Sequence, residues 1–337
     1  MNIYQDYIKL IKDAVDSDAS SYLSKGLGAP EQSLKRSNEE FKALFSRIKD
    51  NQIAPSMVTL SESVNRHIDY NQQLGLHPDF EHLKGTDIIE EHYIVSSFID
   101  IKGSTNLFKK FDKQTVFLIT NTILKAGIHT MLIFGGYVHR LQGDGLFVYF
   151  GDKTLSEEDA VKKALMAVSV FTHFVKTDLK EYLESVGIEY IGIRTGVDLG
   201  YERDVIWGNC GIGEISEVTT CSLHTSLASK MQSSAEKNGV VVGGHVKDLV
   251  KNGEDYFTPV ASRKGEKDRY IFIDSEKKFY YTQYDFLWSK FLKTLDFIAS
   301  DQYGKPVVKI RDRARPISDS SLRPIAVKST PYFGKLK

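Results

Sequence analysis

Apolar side chains in the first 88 residues follow the spacing of helices. Ile8, Ile11 and Val15 recur three and four positions apart among many polar residues, which is the spacing of an amphipathic helix. The segment SLKRSNEEFKALFSRIKD repeats this pattern. We therefore predict a helical N-terminal region over residues 1–88, which either packs on a neighbouring domain or self-associates.

The pattern changes near residue 89, where short apolar runs begin to alternate with helical ones. HYIVSSFIDI predicts a strand that ends near Asp100, and QTVFLITNTILKAGIHTMLIF predicts a helix that stops at two glycines. YVHRL and LFVYF flank the turn Gln-Gly-Asp-Gly, which indicates a β-hairpin. We then expect a helix over about 156–185, a strand in YIGIRTGVDLG, a helix over about 222–236, and strands in GVVVG and RYIFID.

This β-α-β-β-α-β order favours an α+β fold of the ferredoxin-like kind, with an antiparallel-rich sheet and helices, over residues 89–280. Beyond it, YDFLWSKFLKTLDFIAS has helical spacing and the chain then becomes basic. We predict a C-terminal helix and a basic tail over residues 281–337.

Composition narrows the class of function. The 337 residues include 44 basic and 44 acidic side chains and carry no net charge, which argues against a general binder of nucleic-acid backbones. We expect no apolar stretch of bilayer length and no signal peptide. Cys210 and Cys221 form neither a disulfide framework nor a metal cluster with histidines at ligand spacing. These features predict a soluble cytoplasmic protein with no nucleic-acid or membrane partner.

Two aspartates carry the candidate chemistry. Asp100 lies at the end of an apolar strand, where a solvated strand end would be the ordinary explanation, and Asp144 lies in the hairpin turn. In the predicted topology the strand and the hairpin are neighbours, so both carboxylates can meet at one edge of the sheet. Two carboxylates repel each other unless a cation lies between them, and Mg²⁺ or Mn²⁺ commonly joins such carboxylates to substrate phosphates. We therefore predict a metal site.

The residues after Asp100 suggest a phosphate site. Lys102, Gly103, Ser104 and Thr105 form a small-residue loop that leads into a predicted helix. Backbone N–H groups at a helix N-terminus, together with the helix dipole, bind phosphate oxygens. Metal ions beside a phosphate-binding loop are the equipment of two-metal phosphoryl transfer.

Four segments, in order, resemble the catalytic domain of class III adenylate and guanylate cyclases. They are FIDIKGST, GGYVHRLQGDGLFVYF, GNCGIGEISEVTTCSLHTSLASKM and SRKGEKDRYIFI. The resemblance implies that Asp100 and Asp144 bind two Mn²⁺ or Mg²⁺ ions together with the backbone carbonyl of Ile101, and that Lys264 contacts the terminal phosphates. The reaction it implies is attack by the ribose 3′-oxygen on the α-phosphorus, which displaces pyrophosphate.

The resemblance also implies a homodimer with two equivalent sites at the interface. In this family one chain supplies the metal-binding aspartates and the other supplies the residues that read the base.

The base-reading positions depart from the family's purine pattern. Arg140 stands where the family has lysine or glutamate, and Thr219 stands at the partner position. A guanidinium only donates hydrogen bonds, so we expect Arg140 to face the carbonyl oxygens of uracil while Thr219 accepts from N3–H. Cytosine would present its exocyclic amine to the arginine, and a buried unpaired donor costs about 1–3 kcal/mol. The simpler alternative is that Arg140 is a solvated charge on the hairpin.

Two catalytic positions also differ from the family. Ser226 replaces the asparagine that positions the ribose, and Lys230 replaces the arginine that stabilises the transition state. Serine still forms hydrogen bonds, but lysine cannot give the bidentate clamp of arginine. These changes predict a lower rate and leave open a catalytically inactive module that senses nucleotides.

The non-purine pattern resembles the pyrimidine cyclases of the bacterial anti-phage system Pycsar. We therefore predict a uridylate cyclase that converts UTP into 3′,5′-cyclic UMP and pyrophosphate. Its product would be an alarm signal against phage, read by a separate effector that depends on the cyclic nucleotide. The alternatives are, in order, a cytidylate cyclase, an adenylate cyclase and the inactive nucleotide-sensing module.

Overall fold

A computed structural model describes residues 2–25, 31–50, 52–64, 68, 72–188 and 191–309. Its helices are α1 (Gln5–Lys25), α2 (Glu31–Lys49), α3 (Pro55–Ser63), α4 (Lys113–Ile133), α5 (Glu157–Phe174), α6 (Lys180–Ser185), α7 (Leu223–Ser234), α8 (Gly244–Asp248), α9 (Ala261–Lys264) and α10 (Trp288–Leu292). Its strands are β1 (Ile89–Glu91), β2 (Ile94–Lys102), β3 (Gly136–Gln142), β4 (Gly145–Phe150), β5 (Gly192–Gly200), β6 (Val205–Ile212), β7 (Ile215–Ser222), β8 (Gly239–Gly243), β9 (Phe257–Pro259), β10 (Tyr270–Asp274), β11 (Phe279–Phe286), β12 (Ile298–Ser300) and β13 (Pro306–Val308).

The central sheet has the strand order β10-β11-β8-β5-β2-β4-β3, and β9 pairs with β11. β5 and β8 are parallel, and the other pairs in this sheet are antiparallel. A second sheet has the order β1-β6-β7, and β12 pairs with β13. The predicted α+β class with an antiparallel-rich sheet, as expected for a class III cyclase catalytic domain, is therefore confirmed.

Strand β2 lies at the middle of this sheet and is covered on both faces. Val95 and Ile99 point into the large core formed with α4 and α5. Ile94 and Phe98 point the other way, into a second core that contains Trp207 of β6. Because side chains alternate along a strand, Asp100 lies on the same face as Ile94 and Phe98.

The N-terminal helices share the large core with the sheet. Tyr4 and Tyr7 are fully buried, and both reach side chains of α4. The Tyr4 hydroxyl lies 2.7 Å from Oγ1 of Thr130, and the Tyr7 hydroxyl lies 2.5 Å from Nδ1 of His129. The first helix thus packs directly on the sheet-covering helix α4.

Helix α4 shows why apolar length alone is a weak indication of a membrane span. Its 21 residues are long and apolar enough to cross a bilayer, so the expectation that no stretch reaches that length is wrong. In the fold, however, 67% of the apolar window is buried inside the protein. This is the pattern of a core helix.

One other prediction needs correction. The predicted helix in YDFLWSKFLKTLDFIAS begins instead as the last part of β11, continues as the short α10, and ends in β12. Tertiary pairing outweighs helical spacing here, because β11 is hydrogen-bonded to both β8 and β9. The helix expected over about 222–236 is observed as α7, and the residues before it, for which no element was predicted, form the β6–β7 hairpin. The basic tail lies outside the described residues.

Candidate active site

The two aspartates of the predicted metal site lie near the same end of neighbouring strands, with Asp100 on β2 and Asp144 in the turn between β3 and β4. Asp100 on β2 is paired with Gly145 on β4, and Asp144 is the residue just before Gly145. A side chain could not replace this glycine, because its Cβ would lie 2.8 Å from the backbone oxygen of Ile99. Gly143 completes the tight turn with a φ of +61°, a conformation that glycine adopts readily. The hairpin therefore brings Asp144 to the end of β2.

Asp100 has a partner that sequence reasoning missed. Arg194 on β5 stands opposite Asp100 in the β2–β5 pair. Its Nη2 lies 2.5 Å from Oδ2 of Asp100. The pair is partly exposed, with 26% of the arginine side chain and 31% of the aspartate side chain accessible. The alternation of the strand containing IGIRTG would have placed Arg194 on one face, but not opposite this aspartate.

The predicted phosphate loop follows β2 as expected, but its helix is different. The side chain of Ile101 is buried, and Lys102 is exposed at the end of the strand. Gly103 has a φ of +93° and precedes a short 3₁₀ helix, Ser104–Lys109, in which Thr105 is exposed. The long helix α4 begins only at Lys113. The loop therefore leads into a 3₁₀ turn and not into an α-helix N-terminus.

The hydrogen bonds of Asp112 explain this break. Its side chain accepts a hydrogen bond from the backbone N–H of Thr115 at 2.8 Å. An aspartate in this N-cap position satisfies an otherwise unpaired helical donor. The cap fixes the start of α4 at Lys113, eleven residues beyond Lys102.

The candidate base-reading residue Arg140 is held in an ion pair with Glu217. Nε of Arg140 donates to Oε2 of Glu217 at 2.6 Å, and Nη2 also contacts the carboxylate. The register of β3 on β4 shifts between Val138 and Arg140. β-Bulges of this kind redirect side chains and are common beside active sites. Glu217, on β7, was not among the predicted site residues.

Thr219 lies two residues further along β7 and is engaged inside the protein. Its Oγ1 lies 3.1 Å from Nε2 of His139 and 3.4 Å from the hydroxyl of Tyr149. His139 is fully buried, and burial lowers the pKa of its imidazole to about 3. Thr219 therefore makes its contacts inside the protein, and Glu217 is the residue that contacts the guanidinium of Arg140.

Helix α7 carries Ser226 and Lys230 on an exposed face. Its inner face rests on β5, where a Cβ at Gly196 would collide with the backbone oxygen of Ala228. The hydroxyl of Ser226 donates to the backbone oxygen of Ser222 at 3.2 Å. The contact between Oγ of Ser96 and Oγ1 of Thr225, at 2.9 Å, joins α7 to β2. Ser226 and Lys230 therefore lie over the same sheet face as Asp100.

Lys264 lies toward the β10 edge of the sheet, away from Asp100. It is exposed at the end of α9, beside β9 and β11. Three strand spacings separate β11 from β2, which is roughly 14 Å at about 4.8 Å per strand. Within one chain, Lys264 is therefore not brought next to Asp100.

The oxygen donors of Asp100, Asp144 and the backbone of Ile101 fit a hard divalent cation. Carboxylates and a backbone carbonyl are oxygen donors of the kind that Mg²⁺ and Mn²⁺ prefer. Among the described residues, no group of three or more His, Cys, Asp or Glu side chains is placed to hold a metal ion. Asp100 and Asp144 would therefore supply only part of the coordination shell of a metal ion, and substrate oxygens and water would supply the remaining ligands.

Comparison of sequences finds three curated relatives, all named cytidylate cyclase. No protein-family profile matches the chain. It is 35% identical over 237 residues to a cytidylate cyclase of Staphylococcus aureus, which covers 68% of this chain and 54% of the relative. A cytidylate cyclase of Escherichia coli is 34% identical over 236 residues, or 67% of this chain and 50% of the relative. The chain thus spans about half the length of the curated relatives it matches.

Solved structures that align with part of this chain include an adenylyl cyclase and a guanylyl cyclase. The adenylyl cyclase CyaB from P. aeruginosa aligns with a TM-score of 0.49 and 20% identity, over 59% of this chain and 95% of that one. The guanylyl cyclase Cya2 aligns with a TM-score of 0.46 and 15% identity, over 58% of this chain and 92% of that one. By sequence, about two thirds of this chain is related to proteins named cytidylate cyclase.

Proposed function

We propose that this protein is a metal-dependent pyrimidine nucleotide cyclase that converts CTP into 3′,5′-cyclic CMP and pyrophosphate. The observation that carries the proposal is the sequence identity of 34–35% to three proteins named cytidylate cyclase. This revises the prediction of UTP as substrate, which rested on Arg140, Thr219 and the resemblance to pyrimidine cyclases, in favour of the first alternative.

The pair Arg140–Glu217 removes the objection to cytosine. A lone arginine would have faced the exocyclic amine of cytosine with another donor. With Glu217 beside it, the carboxylate accepts from that amine, and Arg140 donates to the ring nitrogen N3 or to O2. In the same pose, uracil would place its O4 against the Glu217 carboxylate, so that two acceptors face each other. A carboxylate next to an arginine therefore favours CTP over UTP.

The remaining roles follow the family resemblance. Asp100, Asp144 and the backbone carbonyl of Ile101 would hold Mn²⁺ or Mg²⁺ ions, which stabilise the negative charge that develops on the phosphate oxygens. The loop Lys102 to Thr105 would bind phosphate oxygens through its backbone.

Residues on α7 and at the far edge of the sheet would serve the sugar and the leaving group. Ser226 would orient the ribose by a hydrogen bond. Lys230 would stabilise charge on the reacting phosphate, and Lys264 would bind the terminal phosphates. Because lysine presents a single ammonium instead of a planar fork, Lys230 predicts a slower enzyme than one with arginine at this position.

A complete site would require two copies of the chain. Arg140 lies on β3, two strands from Asp100 on one side, and Lys264 lies beside β11, three strands from Asp100 on the other side. A second copy, related by a two-fold axis, would bring the base-reading residues of one chain to the aspartates of the other. We propose a cytoplasmic homodimer whose cyclic nucleotide acts as a signal in bacterial defence, read by a separate effector.

The test is incubation of the purified protein with Mn²⁺ and each of the four nucleoside triphosphates in turn. Release of pyrophosphate and the mass of the product are measured. We expect cyclic CMP as the main product, with UTP second. A preference for UTP would overturn the base assignment, and no product from any nucleotide would overturn the cyclase assignment and favour a nucleotide sensor.

A further inference from the structure

Arg194 stands where a cation would bind Asp100. The two residues are directly opposite on β2 and β5, and Nη2 of Arg194 lies 2.5 Å from Oδ2 of Asp100. On its other side, β5 is paired with β8, where Arg194 stands opposite Gly239. The backbone of the arginine is thus fixed between two strands, and its side chain reaches the carboxylate proposed to bind metal.

The contacts of the guanidinium are incomplete. Its Nε is buried and has no hydrogen-bond partner, although an arginine with five N–H donors normally pairs the buried ones. An unpaired buried donor is unfavourable. The ion pair with Asp100 offsets this cost. The position of the guanidinium therefore depends on Oδ2 of Asp100 being available to it.

We propose that Arg194 is a built-in counter-ion that competes with the divalent cation for Asp100. This inference rests on the proposed function, because it assumes that Asp100 binds the metal ion. In the metal-free protein the guanidinium neutralises the carboxylate and holds it in place. A divalent cation that binds Oδ2 of Asp100 displaces this ion pair, and one that binds the other oxygen lies near a positive charge. Arg194 therefore lowers the affinity of the empty site for metal ions.

The test measures Mn²⁺ binding directly, without nucleotide. The full-length chain is titrated with Mn²⁺, and free Mn²⁺ is followed by electron paramagnetic resonance. Arg194→Gln removes the charge and keeps a polar side chain, and we expect Mn²⁺ to bind at least about tenfold more tightly. Arg194→Lys keeps the charge, so its affinity should stay near that of the wild type. Arg203→Gln is the control, because it removes the same charge from an exposed contact with Asp204.

The outcomes separate this inference from the proposed function. Unchanged or weaker Mn²⁺ binding by Arg194→Gln, while Asp100→Ala loses the ion, overturns the inference and leaves the metal site standing. Equal tightening in Arg194→Lys also overturns it, because charge would not be the cause. If Asp100→Ala binds Mn²⁺ as well as the wild type does, the proposed metal site itself is wrong. A purely structural role would lower the melting temperature of Arg194→Gln without tightening Mn²⁺ binding.

Discussion

Arg140 on β3 donates from Nε to Oε2 of Glu217 on β7 at a distance of 2.6 Å. The two residues are 77 positions apart in the chain. Their pairing places a donor and an acceptor side by side, with 42% of the arginine side chain and 23% of the glutamate side chain accessible. Such a pair matches the adjacent acceptor and donor of a cytosine ring.

The first prediction concerns Glu217. Glu217→Gln keeps one acceptor oxygen, adds a donor and removes the charge, so it should lose discrimination between cytosine and uracil. We expect kcat/KM for CTP to fall about tenfold to a hundredfold, since a hydrogen bond to a charged group contributes roughly 1.5–3 kcal/mol. The fall for UTP should be smaller. Glu276→Gln, on an exposed turn, is the control. An unchanged ratio of CTP to UTP in Glu217→Gln would remove this residue from the base site.

The second prediction concerns the aspartates proposed to bind metal. Asp144→Ala removes a proposed ligand from the hairpin turn and leaves the glycines on either side of it unchanged. We expect less than about one hundredth of wild-type turnover, since removal of one electrostatic contact in a site of this kind typically costs 10²–10³ in rate. Asp87→Ala, at an exposed position, should be fully active. Folding is checked by circular dichroism, and a folded Asp144→Ala protein with more than a tenth of wild-type activity would contradict the assignment.

The third prediction concerns the shared site. Asp100→Ala and Lys230→Ala should each be inactive as homodimers. In a mixed dimer, one of the two sites has both residues intact if they act from different chains. Mixing the two variants should therefore restore part of the activity. Continued inactivity, with subunit exchange shown by differently tagged chains, would argue that both residues serve a site within one chain.

The fourth prediction concerns pH and stability. Burial lowers the pKa of His77 to about 4, below the value of about 6.5 for an exposed histidine. The unfolded chain therefore binds an extra proton as the pH falls below about 6.5, which lowers the free energy of unfolding. Between pH 7 and 5.5 this loss should be roughly 1 kcal/mol for this residue.

Urea unfolding at the two pH values measures the effect. His77→Gln should lose about 1 kcal/mol less than the wild type on acidification. Glu276→Gln, on an exposed turn, should behave like the wild type. The same pH dependence in all three proteins would show that His77 does not stay neutral in the folded state.

Features local in sequence predicted much of this site. An apolar strand ending in Asp100 and a hairpin turn holding Asp144 require only short-range patterns, and β2 and β4 pair as adjacent strands. The residues that were missed are long-range partners. Arg194 and Glu217 lie 94 and 77 residues from the side chains they contact, on strands whose register local periodicity does not determine.

The substrate prediction illustrates the same limit. Arg140 considered alone indicated uracil, because an isolated guanidinium has only donors to offer. Glu217 on β7 adds a hydrogen-bond acceptor beside the donors of Arg140. Glu217 was missed because local periodicity does not show that β7 brings this glutamate to the guanidinium of Arg140.

Competition between CTP and UTP tests the central claim most directly. Purified protein is incubated with Mn²⁺ and equal concentrations of both nucleotides, and the two cyclic products are separated and quantified by mass spectrometry. In a shared solution the product ratio equals the ratio of the two kcat/KM values. We expect cyclic CMP to exceed cyclic UMP by at least about tenfold, the equivalent of roughly 1.4 kcal/mol. Equal amounts, or an excess of cyclic UMP, would contradict the proposal that this protein is a cytidylate cyclase.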